Sequence, residues 1–392
     1  MKILIVHNSY LERGGEDEVF DCEKRLLEKH GHEVTSFILA NKNIDSIGTK
    51  IITAIGAPFS LLKYWSLYKY FNREKPDVIH IHNYFPKLTP SIFFAAKRAK
   101  VPVVHTLHNY RAVCPTALLM VDGKINETSV KKNSWWTIPR KIYKGSYIGT
   151  ISLVAMVECN KLIGTWDKKV DRFIALTRFS KEKFIEAGWP ESKICVKPNF
   201  IEREFQESKE KSREPEYALF VGRLSEEKGV TTLLQAWAGN SINFPLKIVG
   251  KGPLQSCVEA AANSRVEFLG VKNKADVLEL MSKASFIVMP STWYEGFPMV
   301  LVESFACGTP AIVSKLGSME EIVQPGHAGV HFEAGNSEDL VHKVNWMIAN
   351  SKKCRQMGVN ARQEYLSKYT PDKNYQMLID VYHEAISESR NA

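Results

Sequence analysis

Two glutamates eight residues apart, Glu295 and Glu303, mark the segment of the chain with the clearest chemistry. An apolar run ends at Met289 ahead of them, and Gly296 and Pro298 stand where a loop would turn into a helix. The first turn of such a helix carries unpaired backbone N–H groups and the positive end of its dipole, which together favour an anion. The pattern predicts a site in which the helix holds an anionic group while the two carboxylates grip sugar hydroxyls.

Arg223 and Lys228 form a second cluster, in a charged loop that follows the apolar run ending at Val221. Two fixed cations can bind a diphosphate and stabilise the charge that builds on it as it leaves. A divalent metal ion does this work in other transferases. No D-x-D pair, which would suggest a metal site of that kind, occurs in the sequence. We therefore expect no metal ion and no cofactor.

Short glycine loops follow two further strand candidates, Gly14-Gly15 near the N-terminus and Gly250-Lys251-Gly252-Pro253 in the second half. A glycine in such a loop lets a ligand approach the backbone closely. Neither loop matches the G-x-x-x-x-G-K-[ST] P-loop or the G-x-G-x-x-G dinucleotide fingerprint, which disfavours an ATPase or a dehydrogenase.

Four histidines lie on or just after two strand candidates of the first half: His80, His82, His105 and His108. A histidine at the end of a strand can contact a sugar or position a nucleophile. We select His108 as the one most suited to chemistry, and we expect His82 and Asn109 to contact the acceptor.

Short β-branched runs alternate with helical patterns along the chain, and the alternation restarts after residue 216. Apolar strands separated by helices are typical of a parallel sheet covered on both faces, so we predict two doubly wound α/β domains of the Rossmann type. Ligands would bind at the carboxyl ends of the strands, in a cleft between the domains. The predicted domains are residues 1–201, with an insertion at about 111–150, and residues 217–371, with a linker at 202–216. A last helix at about 372–392 is a candidate to return to the first domain.

The predicted strands are Lys2–His7, Glu33–Leu39, Val78–His82 and Val101–Thr106 in the first domain, and Tyr217–Val221, Leu246–Val249, Val266–Leu269, Phe286–Met289, Ala311–Ser314 and Gly329–Phe332 in the second.

Composition is that of a globular protein, with 44% hydrophobic and 24% charged residues among 392. The formal charge is +12 in residues 1–200 and −3 in residues 201–392, so an anionic partner is expected for the first half. Trp135-Trp136, flanked by basic residues in the insertion, would suit contact with an anionic membrane surface or a lid. Seven scattered cysteines without a C-x-x-C pair, and no signal peptide or membrane span, indicate a cytoplasmic protein.

The order of Arg223 and Lys228, the Gly-x-Gly-Pro loop and the E-x7-E segment resembles glycosyltransferase family 4. Gly14-Gly15, His108-Asn109 and Lys197-Pro198-Asn199 match the usual pattern of that family too, and the resemblance covers nearly the whole chain. It implies the GT-B fold, which consists of two Rossmann-like domains, and a metal-independent, retaining transfer from a nucleotide diphosphate sugar.

The resemblance also implies roles for individual residues. Arg223 and Lys228 would hold the diphosphate, Glu303 the ribose and Glu295 the donor sugar. Gly15 would close over the donor, and His108 would line the reacting centre. The other implied donor contacts are Gly252, the backbone of Phe297, Pro298, Met299, Val300 and Leu301, and Val271 near the base. Retention is explained in this family by attack on the front face of the sugar, with the departing phosphate taking the acceptor's proton.

We therefore predict a bacterial-type glycosyltransferase that extends a glycan or a polyprenyl-diphosphate-linked acceptor, as in O-antigen or capsule synthesis. UDP is preferred over GDP as the nucleotide, and peripheral contact with the inner face of the plasma membrane is expected. Two alternatives stay open at this point: a nucleotide-sugar epimerase on the same fold, and a non-catalytic module that binds nucleotide sugars. A nucleic-acid partner is not expected, because no helix-turn-helix or RNP-like pattern occurs.

Overall fold

The computed structural model describes residues 1–9, 14–40, 53–202, 216–239 and 241–391, which form two compact units. The first unit consists of Met1–Val121, Asn126–Asn199 and Pro371–Ala392, and the second of Asp122–Ile125 and Phe200–Thr370. The last helix of the chain thus belongs to the first unit. Most of the predicted linker at 202–216 lies outside the described residues.

Six parallel strands build the sheet of the first unit, in the order β2-β1-β3-β4-β7-β8. Two further strands, β5 and β6, pair with each other inside the predicted insertion. The bounds are β1 Lys2–Ser9, β2 Glu33–Ala40, β3 Val78–Ile81, β4 Val103–Leu107, β5 Met120–Val121, β6 Lys124–Ile125, β7 Arg172–Ala175 and β8 Ile194–Val196.

The sheet of the second unit is also parallel, with the order β11-β10-β9-β12-β13-β14. This is the strand order 3-2-1-4-5-6 of a Rossmann fold. The bounds are β9 Ala218–Val221, β10 Leu246–Val249, β11 Val266–Gly270, β12 Phe286–Met289, β13 Ala311–Ser314 and β14 Gly329–Phe332.

Helices connect the strands of both sheets. In the first unit the described helices are α1 Gly15–Lys29, α2 Leu61–Glu74, α3 Ser91–Arg98, α4 Thr128–Lys131, α5 Tyr147–Leu162, α6 Thr165–Lys169 and α7 Arg178–Glu186. Those of the second unit are α8 Val230–Ala238, α9 Gln255–Ala261, α10 Lys274–Lys283, α11 Met299–Ala306, α12 Ser318–Ile322, α13 Ser337–Ala349 and α14 Ser351–Lys368. The chain ends in α15, Pro371–Asn391.

The predicted α/β architecture is confirmed, because each strand with a continuous apolar run is buried between helices. Ile3, Leu4, Ile5 and Val6 of β1 are almost completely buried, as the apolar run predicts. β10, β12, β13 and β14 have the predicted bounds. Four strands were not predicted, β5, β6, β7 and β8, because they are only two to four residues long and β7 begins with the charged Arg172.

A glycine fixes the charged loop of the second unit against the end of β12. Gly229 has a positive φ of 71°, and a Cβ atom there would lie 1.8 Å from the carbonyl oxygen of Pro290. The backbone N–H of Thr292 donates to the carbonyl of Glu227 at 2.9 Å. The loop that carries Arg223 and Lys228 is therefore held to the loop that follows β12.

Replacement of this glycine is expected to be costly. We expect Gly229→Ala to lower the free energy of unfolding by about 2–4 kcal/mol, because the methyl group meets backbone that has no room to move. Urea denaturation measures the change. Gly335→Ala is the matched control, since Gly335 has a φ of 78° but no atom within 4 Å of a Cβ. Equal losses in the two variants would show that backbone conformation, and not the contact with Pro290, sets the cost.

Candidate functional site

The strand order of the second sheet creates the point at which a ligand site is expected. β9 and β12 are neighbours, but the chain leaves β9 toward β10 on one side and leaves β12 toward β13 on the other. Loops at the carboxyl ends of these two strands therefore diverge and leave a crevice. The loop after β9 contains Arg223 and Lys228, and the loop after β12 contains Glu295.

An ion pair joins these two loops. Lys228 Nζ donates to both carboxylate oxygens of Glu295, at 2.7 and 2.9 Å. The carboxylate is buried, and it also accepts from Ser291 Oγ at 2.7 Å and from Trp293 Nε1 at 3.0 Å. Ser318 Oγ donates to the backbone carbonyl of Glu295 at 2.6 Å. The side chain of Glu295 is thus held in one orientation, with a cation beside it.

Helix α11 begins next to this pair, with Pro298 as its N-cap residue. Pro298 has no N–H group, and the N–H of Leu301 donates to the Pro298 carbonyl at 3.0 Å. Of the predicted backbone contacts in Phe297–Leu301, the first-turn N–H groups of Met299 and Val300 are therefore the ones best suited to bind an anion.

Glu303 lies on the second turn of α11, and its carboxylate is buried. It forms an ion pair with Lys274, the first residue of α10. Lys274 was not among the predicted site residues, because a lysine at the start of a helix gives no signal in the sequence. A ligand hydroxyl that binds Glu303 must share the carboxylate with this ammonium group or displace it.

The remaining predicted donor residues differ in their surroundings. Arg223 is 65% exposed, and its guanidinium lies 3.8 Å from the carboxylate of Glu227. Val271, after β11, is equally exposed. A Cβ on Gly252 would lie 2.4 Å from the carbonyl oxygen and 2.7 Å from the nitrogen of Leu224. The sequence suggested that Gly252 admits a ligand, but the structure shows that it admits the backbone of the neighbouring loop.

In the first unit, Gly15 is the first residue of α1, and Gly14 is its N-cap. Asp17 closes this turn by accepting from the Gly14 N–H at 2.9 Å, and its other oxygen lies 2.9 Å from Nε2 of His7 on β1. The glycine loop is therefore anchored to the first strand.

Three of the four histidines noted in the sequence, His80, His82 and His108, come together at the carboxyl ends of β3 and β4. His82 Nδ1 lies 3.0 Å from His108 Nε2, and the two rings are stacked with centroids 5.2 Å apart. The ring of His80 is 4.3 Å from that of His82. His82, His108, Asn109 and Arg111 line one pocket. The structure thus brings the predicted residues His82, His108 and Asn109 to one pocket.

A wholly buried charge pair lies behind these histidines. Lys197 Nζ donates to Glu23 Oε1 at 2.7 Å and to Asn374 Oδ1 of α15 at 3.1 Å. Glu23 Oε2 lies 3.3 Å from His82 Nε2. Burial alone would raise the pKa of Glu23, but Lys197 and His82 hold it well below its usual range. Burial lowers the pKa of His80 and His108 far below its ordinary value, so both rings are neutral at pH 7.

Glu23, His80 and His82 could also be read as metal ligands, since their ligand atoms lie within 4.8 Å of one another. Both ring nitrogens of His80 are already partnered, Nδ1 with Tyr382 at 2.8 Å and Nε2 with Thr106 at 2.7 Å. The carboxylate of Glu23 is already balanced by the ammonium of Lys197. These contacts are those of a hydrogen-bonded network, and the absence of a metal requirement stays a prediction.

Comparison with known proteins identifies the class. A model of glycosyltransferase family 4 matches residues 24–205, and a model of glycosyl transferases group 1 matches residues 201–364. The crystal structure of Anabaena HepE in complex with UDP has a TM-score of 0.67 at 19% identity, covering 97% of this chain and 99% of that one. The two parallel-sheet units and this likeness define a GT-B fold.

Two relatives extend the comparison. An uncharacterized glycosyltransferase from Methanocaldococcus jannaschii is 36% identical over 172 residues, which are 43% of this chain and 48% of that protein. This chain thus aligns with about half of that relative's length. The N,N'-diacetylbacillosaminyl-diphospho-undecaprenol alpha-1,3-N-acetylgalactosaminyltransferase of Campylobacter jejuni is 25% identical over 290 residues, which are 67% of this chain and 75% of that protein.

These findings define the protein as a glycosyltransferase rather than an epimerase or a non-catalytic module. Together the two models cover residues 24–364, so the chain is similar to glycosyltransferases of family 4 and group 1 over most of its length.

The buried Lys197–Glu23 pair predicts that removing one charge destabilises the protein far more than removing both. We expect Lys197→Met to lower the free energy of unfolding by about 3–5 kcal/mol, because it leaves the charge of Glu23 buried without compensation. The double variant Glu23→Leu/Lys197→Met is expected to regain most of this loss. Urea denaturation of the four proteins of the cycle gives the coupling. A double variant no more stable than Lys197→Met would contradict the assignment of an ionised pair.

Proposed function

We propose that the second unit binds a nucleotide diphosphate sugar, with UDP preferred over GDP, at the carboxyl edge of its sheet. The observation that carries the proposal is the Lys228–Glu295 ion pair beside the N-terminus of α11. It joins a cation, a fixed carboxylate and a helix N-terminus in one place, and these are the groups that a sugar diphosphate needs. The UDP bound by the related fold of HepE supports the choice of base.

Each part of the donor has a partner in this proposal. Lys228, Arg223 and the N–H groups of Met299 and Val300 bind the diphosphate. Glu303 binds the ribose, and Lys274 moves aside to allow it. Glu295 binds the sugar, and its hydrogen bonds from Ser291 and Trp293 keep the carboxylate fixed as Lys228 turns toward the phosphate. Lys228 and Arg223 would then supply the positive charge that a metal ion supplies in other transferases.

The proposed transfer retains the configuration of the sugar. The bond from the anomeric carbon to the diphosphate oxygen breaks, and a bond to the acceptor hydroxyl oxygen forms on the same face. The acceptor's proton passes to the departing diphosphate, whose charge Arg223 and Lys228 stabilise. The anomeric signal of the product in a proton NMR spectrum tests retention directly.

The proposed acceptor is a glycan or a polyprenyl-diphosphate-linked sugar in cell-surface polysaccharide synthesis. The Campylobacter relative supports this class, since its name specifies an acceptor linked to undecaprenol through a diphosphate. In the first unit, His82, His108, Asn109 and Arg111 give one pocket both hydrogen-bonding groups and a cation. Such a lining suits the hydroxyls of a sugar.

Nucleotide binding is the first test of this function. We expect UDP to raise the melting temperature more than GDP, ADP, dTDP or CMP, and EDTA to leave the shift unchanged. At a UDP concentration 100-fold above its Kd, the stabilisation would be about 2.7 kcal/mol. Arg223→Ala is expected to weaken UDP binding about 10- to 100-fold, since it removes one charge-assisted hydrogen bond.

Arg355→Ala is the matched control, because Arg355 is an exposed arginine on α14 of the same unit. It should leave the UDP shift unchanged. A panel in which no nucleotide shifts the melt, or a shift that EDTA abolishes, would contradict the proposed metal-free donor site.

We further propose peripheral contact of the first unit with an anionic membrane, through an exposed apolar stripe on α5. Among the described residues, no helix combines the length and apolar character that crossing a bilayer requires. Ile148, Ile151 and Leu162 nevertheless lie on one face of α5, at helical spacing, and are 61%, 47% and 87% exposed. Exposed basic residues precede α5 in the insertion and occur near its end, and the first 200 residues carry an excess of 12 positive charges. These exposed basic residues are Lys132, Arg140, Lys141, Lys144 and Lys161.

The proposed membrane contact is centred on this stripe of α5 and not, as the sequence suggested, on Trp135-Trp136. Trp136 donates from Nε1 to Ser129 Oγ at 3.1 Å, and Arg140 lies over its ring. Only Trp135 of the pair is exposed. Trp136 is therefore committed to packing within the insertion, while Trp135 can join the apolar stripe.

Sedimentation with lipid vesicles tests the contact. At low salt, we expect the protein to pellet with vesicles that contain phosphatidylglycerol and to stay in solution with phosphatidylcholine alone. Ile151→Glu/Leu162→Glu should abolish pelleting, because it adds negative charge to the face that meets the lipid. Val359→Glu/Leu366→Glu, two exposed apolar residues of α14, is the matched control. Equal pelleting with both kinds of vesicle would contradict the proposed electrostatic contact.

A further inference from the structure

The buried pair of Lys197 and Glu23 is not explained by donor binding. Both side chains are almost completely buried, at 1% and 0% exposure. Burying two charges is costly, and apolar residues of similar size would often be as stable. The contacts of the pair point to a role beyond stability.

A line of contacts connects the buried pair, through His82, to His108 in the pocket. Lys197 Nζ holds Glu23 Oε1, and Glu23 Oε2 faces His82 Nε2 at 3.3 Å. Both of these last two atoms are buried and make no hydrogen bond among the described residues, so their 3.3 Å approach is an ion-pair contact and each is the nearest partner open to the other. His82 Nδ1 then meets His108 Nε2 at 3.0 Å, and the half-buried ring of His108 lines the pocket.

The carboxylate determines where the protons lie along this line. An ionised Glu23 can only accept, so a His82 ring with a single proton is expected to carry it on Nε2, facing the carboxylate. Nδ1 of His82 is then a bare acceptor, and the proton it shares with His108 belongs to His108 Nε2. This leaves Nδ1 of His108 without a proton, as the ring nitrogen available to a ligand hydroxyl.

We propose that Glu23, held by Lys197, is a positioning residue that fixes the tautomers of His82 and His108 and so presents His108 Nδ1 as a hydrogen-bond acceptor in the pocket. It touches no substrate and acts through the two rings. The inference rests on the proposed function in one respect: the group that His108 Nδ1 would bind is a hydroxyl of the acceptor or of the donor sugar.

The other buried polar groups around this line have partners of their own. His80, on the same strand as His82, is hydrogen bonded through both ring nitrogens to Tyr382 and Thr106. His105 Nδ1 donates to the carbonyl of Ile81 at 2.7 Å, and burial lowers the pKa of His105 to about 4. His7 is paired with Asp17. None of these groups therefore competes with Glu23 for the proton of His82.

Nitrogen NMR of the substrate-free, full-length protein with ¹⁵N-labelled histidine tests the proposal. Long-range ¹H–¹⁵N spectra distinguish protonated from bare ring nitrogens, and the variants His82→Gln and His108→Gln assign the signals. At pH 7 we expect both rings to carry their proton on Nε2. In Glu23→Leu/Lys197→Met, which removes both charges together, the single tautomer of His82 should be lost, and that of His108 should be lost with it.

Asp17→Asn is the matched control, because it removes a carboxylate from a different histidine of the same unit. It should change the signals of His7 and leave those of His82 and His108 as they are. A wild-type His82 protonated on Nδ1 would overturn the proposal without any variant. Unchanged tautomers in a folded double variant would overturn it as well. Since no nucleotide is present, these outcomes are independent of the UDP panel.

Discussion

Both sheets are parallel and covered by helices, and this constraint governs where chemistry can occur in the protein. Strands buried on both faces admit few polar side chains along their length, so charged and hydrogen-bonding groups collect where the strands end. In the second unit, the divergence of the chain beside β9 and β12 opens such an edge, and Lys228 meets Glu295 there. In the first unit, His82 and His108 meet at the ends of β3 and β4.

Three buried carboxylates are each held by a lysine, and the exposure of the lysine separates their roles. Lys228 and Lys274, which hold Glu295 and Glu303, are 24% and 43% exposed. Such cations can turn toward an arriving phosphate and leave the carboxylate to a hydroxyl. Lys197 is 1% exposed and cannot leave Glu23 without leaving a bare buried charge. The first two pairs are suited to exchange with a ligand, and the third is suited to fixing a geometry.

Much of the second unit could be predicted from the sequence, because its strands are continuous apolar runs bounded by glycine and proline. β12 has the predicted bounds, and α11 begins directly after Pro298, where the pattern predicted a helix, so Glu295 and Glu303 lie where the pattern indicated. The sequence could not show the contacts that join distant segments. Nothing in the sequence pairs Lys274 with Glu303, or Lys197 with Glu23 across 174 positions. The roles of Gly229 and Gly252 in packing loop against loop also depend on the fold, since the sequence suggests only conformational freedom.

The central claim is that the carboxyl edge of the second sheet binds a nucleoside diphosphate through protein cations. A crystal structure of the protein grown with UDP and EDTA tests it most directly. We expect the diphosphate within hydrogen-bonding distance of Arg223 and Lys228, with the ribose on Glu303. A diphosphate bound away from Arg223 and Lys228, with the Lys228–Glu295 pair intact, would contradict the account.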